Sequence, residues 1–312
     1  MTDFLDAGIY YDVPVDRYFA DPCPEPSLTQ SIAKIILEHS PAHARICHPR
    51  LNPDWKADDD KRFDIGNIAH SLMLGRGKQI DVLDFEDWRT KAAQQAREQA
   101  AKEGRLAVLR KHFDQANAMQ QAALTQLANM GLIHHWEDDA GHAEAVLAWQ
   151  DNGIWCRSMV DWLTTDLRLA WDFKSTAMSA APHVVGRYGL NLGWDVQAAM
   201  ILRGLDAVDP DGAGRRKFRF VCQESDPPYA LTVCEMSETW LTMGRKKIDY
   251  ALAKWAHCLR TKTWPAYPTS VILPDYPGFA ESQWLEREIE EAERERHPMM
   301  RHDAPLDILM AG

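Results

Sequence analysis

Two aspartates and a lysine stand in apolar sequence, where a strand would bury them. The segment 167–174 alternates strictly, so Asp172 and Lys174 share the polar face of a predicted strand whose other face is apolar. Asp161, eleven residues before Asp172, is embedded in the apolar run Met159–Leu163. A buried carboxylate must be solvated, paired or metal-bound, and carboxylate oxygens are the ligands that Mg²⁺ prefers. The pattern indicates a divalent-cation site with an ammonium beside it for phosphate chemistry, although an ion pair between Asp172 and Lys174 would meet the same constraint.

Three successive strands must position these residues. They are predicted at about 143–150, 154–163 and 167–175, separated by the turn signals Asp151-Asn152-Gly153 and Thr164-Thr165-Asp166. Tight turns between adjacent strands predict an antiparallel meander, which places Asp161 and Asp172 on neighbouring strands.

Helical patterns occupy much of the sequence before these strands. A short helix is predicted from about Ile32 with Ser27 or Thr29 as its N-cap, and a second over Arg62–Leu74, which contains His70. Residues 85–130 predict two helices that break near Gly104, with the apolar positions Leu106, Leu109, Phe113, Met119, Leu124 and Leu127 on them.

The sequence after the meander again mixes both patterns. Helices are predicted over Trp194–Leu205 and Glu238–Leu259, and two strands at about 216–224 and 229–236 flank Pro227-Pro228. Residues 282–297 carry many opposite charges four apart and predict a solvated or partner-binding helix. The whole pattern predicts an α+β chain with one central sheet.

Composition places limits on the partners and the compartment. The 312 residues include 46 acidic and 35 basic side chains, a net charge of −11, so the average surface should repel nucleic acid and anionic membrane. Six scattered cysteines without a CxxC spacing indicate reduced thiols. There is no basic, apolar leader and no run of 18 uncharged apolar residues, so we expect a cytoplasmic protein without a membrane span.

Several of these residues form an ordered set along the chain. Gly66 and His70 on an early helix precede Asp161, the triplet Asp172-Phe173-Lys174, and Gln197 on the next helix. This order resembles the PD-(D/E)XK nucleases in their RecB-like version. Four further segments extend the resemblance to the RecE-type exodeoxyribonucleases of phages and prophages: Ser40-Pro41-Ala42-His43, Gly66-Asn67-Ile68-Ala69-His70, Pro227-Pro228-Tyr229, and Trp264-Pro265-Ala266-Tyr267 after Cys258.

The resemblance implies a fold and a domain organisation. The fold class would be α+β, a PD-(D/E)XK core with a central mixed β-sheet flanked by helices and a helical N-terminal region. Residues 1–26 would be an extended lead-in and 27–275 a single nuclease domain, with its helical part at about 27–135 and its sheet core at about 142–275. Residues 276–312 would be a charged C-terminal helix and tail.

The resemblance also implies residue roles. Asp161 and Asp172 would be metal ligands, joined by His70 and, on the strand before Gly153, by Glu144. Lys174 would orient the attacking water or stabilise the transition state. For His70 a hydrogen-bonded structural histidine, and for Glu144 a solvated residue at the sheet rim, remain alternatives. Gln197 would contact the scissile strand or hold the lysine. The chain departs from the family pattern after that glutamine, where Met200 and Ile201 occupy the neighbourhood in which a tyrosine is common.

By the same resemblance, the reaction would be Mg²⁺-dependent hydrolysis of linear double-stranded DNA, with Mn²⁺ as a substitute. Cleavage would run 5′ to 3′ in a ring-shaped homo-oligomer and leave a 3′ single strand for an annealing protein. Basic residues interleaved with Phe218 and Phe220 would contact DNA, with a solvated strand edge as their alternative: Arg215, Arg216, Lys217 and Arg219.

Two other functions fit parts of the pattern. A nuclease with an iron–sulfur cluster, like those of CRISPR adaptation, would need grouped cysteines, and Cys222, Cys234 and Cys258 are too dispersed, so we expect no such cluster. A catalytically silent DNA-end-binding recombination protein would keep the fold, but the complete set Asp161, Asp172, Lys174 and Gln197 argues against it.

Overall fold

The strands of the computed structural model, which describes residues 4–56, 65–137 and 139–296, form two sheets. The strands are β1 (Gly8–Tyr10), β2 (Ile80–Leu83), β3 (Leu106–Leu109), β4 (Gly141–Asp151), β5 (Ile154–Thr164), β6 (Leu169–Thr176), β7 (Lys217–Glu224) and β8 (Leu231–Glu235). The larger sheet has the order β1-β4-β5-β6-β7-β8; β6 and β7 are parallel, and the other neighbours are antiparallel. The predicted α+β class with a central mixed sheet is confirmed.

Strands β4, β5 and β6 form the predicted antiparallel meander. Asn152 and Gly153 both have positive φ, 50° and 79°, as a two-residue hairpin turn of type I′ requires. At the second turn Leu167 has φ 59° and precedes β6, so it does not continue the alternation that starts at Leu169. The prediction was wrong for Leu167 and Arg168, because both belong to the turn that precedes β6.

Helices cover both faces of the larger sheet. The helices described before residue 267 are α1 (Val15–Phe19), α2 (Gln30–Glu38), α3 (Pro41–Cys47), α4 (Ile65–Leu74), α5 (Lys91–Lys102), α6 (Arg110–Asn129), α7 (Pro182–Asn191), α8 (Trp194–Val208) and α9 (Glu238–Thr261). A first core joins the sheet to α2, α8 and α9, and a second core joins the other face to α4 and α6. The helices α7 and α8 connect the parallel strands β6 and β7, as a parallel pair demands. No helix in the described part of the chain is long and apolar enough to cross a membrane.

The close crossing of α8 and α9 depends on one glycine. A Cβ at Gly244 in α9 would lie 2.1 Å from the backbone oxygen of Asp195 in α8, far inside van der Waals contact. The missing side chain therefore lets the two helix backbones approach. This contact fixes the first turn of α8, which carries Gln197.

The two helices predicted before residue 75 are observed as α2 and α4, whereas α1 and α3 were not predicted. Thr29 caps α2 by accepting a hydrogen bond from the backbone N–H of Ile32 at 3.2 Å, and Ser40 caps α3 in the same way. The helix predicted over Arg62–Leu74 is observed from Ile65, and its first three residues lie outside the described residues.

The region 85–130 differs from its prediction. Leu106 and Leu109 do not belong to a helix, because residues 106–109 form β3 and pair in parallel with β2. Gly104, with φ 73°, ends the preceding helix, and the Leu-Ala-Val-Leu segment is apolar enough to be buried as a strand. A short apolar run of this kind fits either element by sequence alone.

A buried ionic network ties the lead-in to the sheet. Asp21 accepts hydrogen bonds from the backbone N–H and hydroxyl of Ser27 at 2.9 and 2.7 Å. Arg157 Nη1 of β5 lies 2.8 Å from Asp21 Oδ1, and His48 Nε2 lies 3.2 Å from Asp21 Oδ2. Burial raises the pKa of Asp21, but the hydrogen bond with His48 and the Arg157 guanidinium hold it below its ordinary value. The segment predicted as an extended lead-in thus also carries β1 and α1 and packs against β5.

The chain divides into two compact units, Met1–Tyr267 and Pro268–Gly312. Helix α10 (Gly278–Arg296) is the element described in the second unit, and it begins four residues before the predicted start at 282. Its side chains Trp284, Leu285 and Ile289 are exposed.

We predict that Asp21→Asn lowers the free energy of unfolding at pH 7 by about 3 kcal/mol, because it leaves Arg157 buried without a counter-ion. A carboxylate whose folded pKa is depressed stabilises the native state above its unfolded pKa and loses that effect as the pH falls through the folded pKa. The difference between the two proteins in urea unfolding should therefore shrink between pH 5 and pH 3. A difference that stays constant over that range would contradict the ionic account.

Candidate active site

The larger sheet opens at the point where the two aspartates meet. The β5–β6 ladder pairs Leu163 with Ala170 and Trp162 with Trp171, so the next pair along the same register would be Asp161 and Asp172. The pairing ends there. Instead of a β5 carbonyl, the side chain of Asp161 accepts the backbone N–H of Phe173, at 2.9 Å. The strands β5 and β6 therefore fork at the two carboxylates, and the Asp161 side chain bridges the fork through its hydrogen bond with Phe173.

A backbone irregularity in β4 accompanies the fork. Glu144 has φ 53°, a left-handed value that is uncommon for this residue type. Its neighbours Ala143 and Ala145 pack into opposite cores, although residues two apart in a regular strand share a face. Their partners Trp162 and Val160 in β5 show the same switch. At Glu144 and Asp161, both strands therefore change which of the two cores their side chains face.

Helix α4 brings the predicted histidine to the fork. His70 Nε2 lies 2.9 Å from Asp161 Oδ2, and the two side chains are 31% and 17% exposed. Burial raises the pKa of Asp161, but the charge and hydrogen bond of His70 outweigh it and lower that pKa. Burial lowers the pKa of His70, but the charge and hydrogen bond of Asp161 outweigh it and raise that pKa above its ordinary value. The contact joins α4, which packs on the second core, to β5 at the fork.

The second carboxylate is compensated by a lysine and an amide. Lys174 Nζ lies 2.5 Å from Asp172 Oδ1, and Gln197 Nε2 of α8 donates a hydrogen bond to Asp172 Oδ2. Only 2% of the Asp172 side chain is exposed. Burial and the nearby Asp161 charge raise the pKa of Asp172, against the lowering effect of Lys174. Burial alone would lower the pKa of Lys174, but Asp172 and Asp161 raise it.

Glu144 lies with the same group. It stands directly opposite Asp161 in the β4–β5 register, between the pairs Ala143–Trp162 and Ala145–Val160. Burial raises its pKa, the His70 charge lowers it, and the Asp161 charge raises it. The position is inside the ladder, so the side chain is half-buried beside the fork rather than at the rim of the sheet.

The predicted DNA-contact residues lie elsewhere. Arg219 is the β7 partner of Trp171 and stacks on it at 5.0 Å, so it faces the second core, whereas Asp172 faces α8. Lys217 shares the face of Arg219, and both contact Glu235, at 2.7 and 2.8 Å. The structure therefore does not bring these two residues to the carboxylates, because side chains one residue apart on a strand point to opposite faces.

The other two residues of that stretch are held by their own loop. Arg216 is buried and contacts Asp206, Asp209 and the carbonyl of Leu167. The guanidinium of Arg215 donates to the carbonyl of Asp211. Their contacts are those of structural residues that close the loop between α8 and β7.

Sequence reasoning missed two residues near Lys174. Tyr188 of α7 acts to raise the pKa of Lys174. The Tyr188 ring packs edge-on against the Trp194 ring, with the ring centroids 6.0 Å apart. The charge of Lys174 in turn lowers the pKa of Lys34 in α2. The tyrosine sought after Gln197 is replaced there by Met200 and Ile201, which are wholly buried in the first core. Lys34 stands among the apolar residues Ala33, Ile35 and Ile36, and this placement was the one signal for it in the sequence.

The donor set at the fork fits a hard cation. Asp172 Oδ1 is buried and receives no directed hydrogen bond, although the Lys174 ammonium is near it, and carboxylate oxygens suit Mg²⁺. Over residues 4–56, 65–137 and 139–296, no three His, Cys, Asp or Glu side chains already stand in a metal-binding arrangement. A cation held by Asp161, Asp172, His70 and Glu144 would therefore have to replace the contacts that His70 and Lys174 now make.

Comparison with known proteins identifies the fold. Residues 31–271 match the family described as a PDDEXK-like domain of unknown function (DUF3799). The crystal structure of a "putative exonuclease" from Eubacterium rectale superposes with a TM-score of 0.54 at 12% identity, covering 85% of this chain and 96% of that one. The structure of SSO0001 gives a TM-score of only 0.24 at 11% identity, over 61% and 88% of the two chains. No curated protein matches the sequence. The expected PD-(D/E)XK fold is confirmed.

We predict that Gln197→Met and Asp172→Ala are energetically coupled. A hydrogen bond to a buried carboxylate should give an interaction free energy of about 1.5 kcal/mol or more in a double-mutant cycle measured by urea unfolding. As a control, Gln197→Met should be additive with Asp84→Ala, because Asp84 pairs with Arg110. Additivity in both cycles would show that the amide does not hold the carboxylate.

Proposed function

The chain belongs to the PDDEXK-like DUF3799 family, and from that membership and the site geometry we propose that it is a metal-dependent DNA nuclease. The observation that carries the proposal is the fork of β5 and β6, where Asp161, Asp172 and Lys174 converge and Gln197 closes the group from α8. An ion pair alone would account for Asp172 and Lys174. It would not account for a second, half-buried carboxylate in the same gap.

The reaction is the hydrolysis of a phosphodiester. Water oxygen attacks phosphorus, the bond from phosphorus to one sugar oxygen breaks, and that sugar oxygen takes up a proton. Mg²⁺, held by Asp161 and Asp172 with His70 and Glu144, would supply charge neutralisation at the phosphate and a more acidic water. Mn²⁺ would substitute, since it accepts the same oxygen ligands.

The side chains of the chain itself orient this chemistry. Lys174 projects from the same face as Asp172 and is 31% exposed, so its ammonium reaches the space in front of the carboxylates. There it orients the attacking water or stabilises negative charge that develops on the phosphate oxygens. Gln197 fixes the Asp172 carboxylate through its amide, and the backbone N–H of Phe173 fixes Asp161 by donating to its carboxylate.

The finer parts of the proposal rest on the resemblance to RecE-type enzymes. We propose that the substrate is linear double-stranded DNA, degraded 5′ to 3′ so that a 3′ single strand is left for an annealing protein. A ring-shaped homo-oligomer would surround the duplex and concentrate basic side chains in its channel, which an acidic chain requires. The six free thiols suit the reducing cytoplasm, where we place the reaction.

We predict that Asp172→Asn and Lys174→Met each reduce cleavage of linear duplex DNA by about a thousandfold in Mg²⁺, because each removes a charge needed at the reacting phosphate. Duplex labelled at the 5′ or the 3′ end reports polarity in the same assay, and the 5′ label should be released first. Asp84→Asn, an exposed carboxylate outside the site, is the matched control and should cleave normally.

The folded state separates a chemical effect from a structural one. Burial raises the pKa of Asp172, so its ionised form costs native stability at neutral pH, and Asp172→Asn should unfold in urea no earlier than the wild type. Full cleavage by either site variant would refute the assignment. A wild-type protein that binds DNA ends without cleaving them would favour the catalytically silent alternative.

A further inference from the structure

Lys34 is a half-buried cation that has no acidic partner among the described residues. It lies in α2 between the buried residues Ala33 and Ile36, and its ammonium donates one hydrogen bond, to the carbonyl of Leu192 at 3.1 Å. No carboxylate oxygen of the described residues lies within 4.0 Å of it. Other lysines near the sheet are paired, for example Lys247 with Asp195 at 2.5 Å.

The path of the Lys34 side chain is built into the fold. Gly193, the N-cap of α8, has φ 67°, and a Cβ there would lie 2.6 Å from Lys34 Cδ. The methylene chain of the lysine therefore crosses the bare backbone of this glycine. The carbonyl of Gly193 accepts the backbone N–H of Gln197 at 3.1 Å, so the lysine is seated on the same helical turn that holds Asp172.

The electrostatic setting is unfavourable for a lone ammonium. Burial lowers the pKa of Lys34, and the charge of Lys174 lowers it further, while Glu38, Asp172 and Asp195 act in the opposite direction. Two ammonium groups from different elements are thus close enough for their charges to repel, and within the described residues Lys174 has a carboxylate contact while Lys34 has none. A partly desolvated charge is stabilised by a counter-ion, and an anion between the two lysines would satisfy both.

We propose that Lys34 forms a backbone-phosphate subsite, in which its ammonium binds a non-bridging oxygen of the DNA phosphate adjacent to the one that Lys174 faces. The proposal rests on the proposed function for the identity of its ligand. A compact ammonium on a flexible stem binds phosphate as a point charge. The subsite also supplies a cation on the α8 side of the sheet, where Lys217 and Arg219 do not reach.

The test is DNA binding without cleavage. Lys34→Met keeps the apolar stem over Gly193 and removes the charge, and Lys111→Met on the exposed face of α6 removes an equal charge elsewhere. Binding of a fluorescent linear duplex is measured by anisotropy in EDTA over a series of salt concentrations. Lys34→Met should weaken binding and lower the slope of log K against log salt by about 0.9, the value for one phosphate contact. Lys111→Met should leave the slope unchanged.

A second measurement uses the unmodified protein. In acetylation footprinting read by mass spectrometry, bound duplex should protect Lys34 and leave Lys111 reactive, so the proposal can be judged even if Lys34→Met does not fold. Equal slopes for the two variants, equal reactivity of Lys34 with and without DNA, or no duplex binding by the wild type would each overturn the subsite.

The outcome is separable from the proposed function. A wild-type protein that fails to cleave duplex in Mg²⁺, while Lys34→Met still lowers the salt slope, would keep the phosphate subsite and remove the nuclease activity. A wild-type protein that cleaves, while the two lysine variants bind alike, would keep the nuclease activity and remove the phosphate subsite.

Discussion

Two carboxylates in one partly desolvated gap are the constraint on which this structure depends. Asp161 and Asp172 raise the cost of each other's charge, and burial adds to that cost. Their compensation comes from separate elements: His70 from α4, Lys174 from β6 and Gln197 from α8. The helices on both faces must therefore be in place before the fork is stable. This dependence explains why the residues of the site are spread over more than a hundred positions of sequence.

Sequence alone could predict the parts that depend on local pattern. The alternation around Asp172 and the turn signals at Gly153 and Thr164 gave the meander, and with it the neighbouring positions of the aspartates. Leu106 and Leu109 were misassigned, because a four-residue apolar run has no period that separates strand from helix. The left-handed φ of Glu144 was not predictable either, since it is imposed by the change of facing shared by β4 and β5.

The interpretation of the basic residues shows the same limit. Lys217 and Arg219 are charged and stand beside aromatic residues, so their composition resembles a DNA contact. Their register against β6 sends them to the face opposite Asp172, and register is a property of the assembled sheet. Lys34 is the opposite case. It is inconspicuous in the sequence, and tertiary packing places its side chain over Gly193. If the proposed subsite holds, an acidic chain can contact DNA with few cations when each of them meets a backbone phosphate.

The central claim is that the carboxylates at the fork form a divalent-cation centre, and calorimetric titration with Mg²⁺ tests it most directly. The wild type should show saturable heat of binding, and Asp161→Asn and Asp172→Asn should each lose it, because each removes an anionic oxygen ligand. Asp84→Asn should titrate like the wild type. Unchanged Mg²⁺ binding in both fork variants would contradict the account.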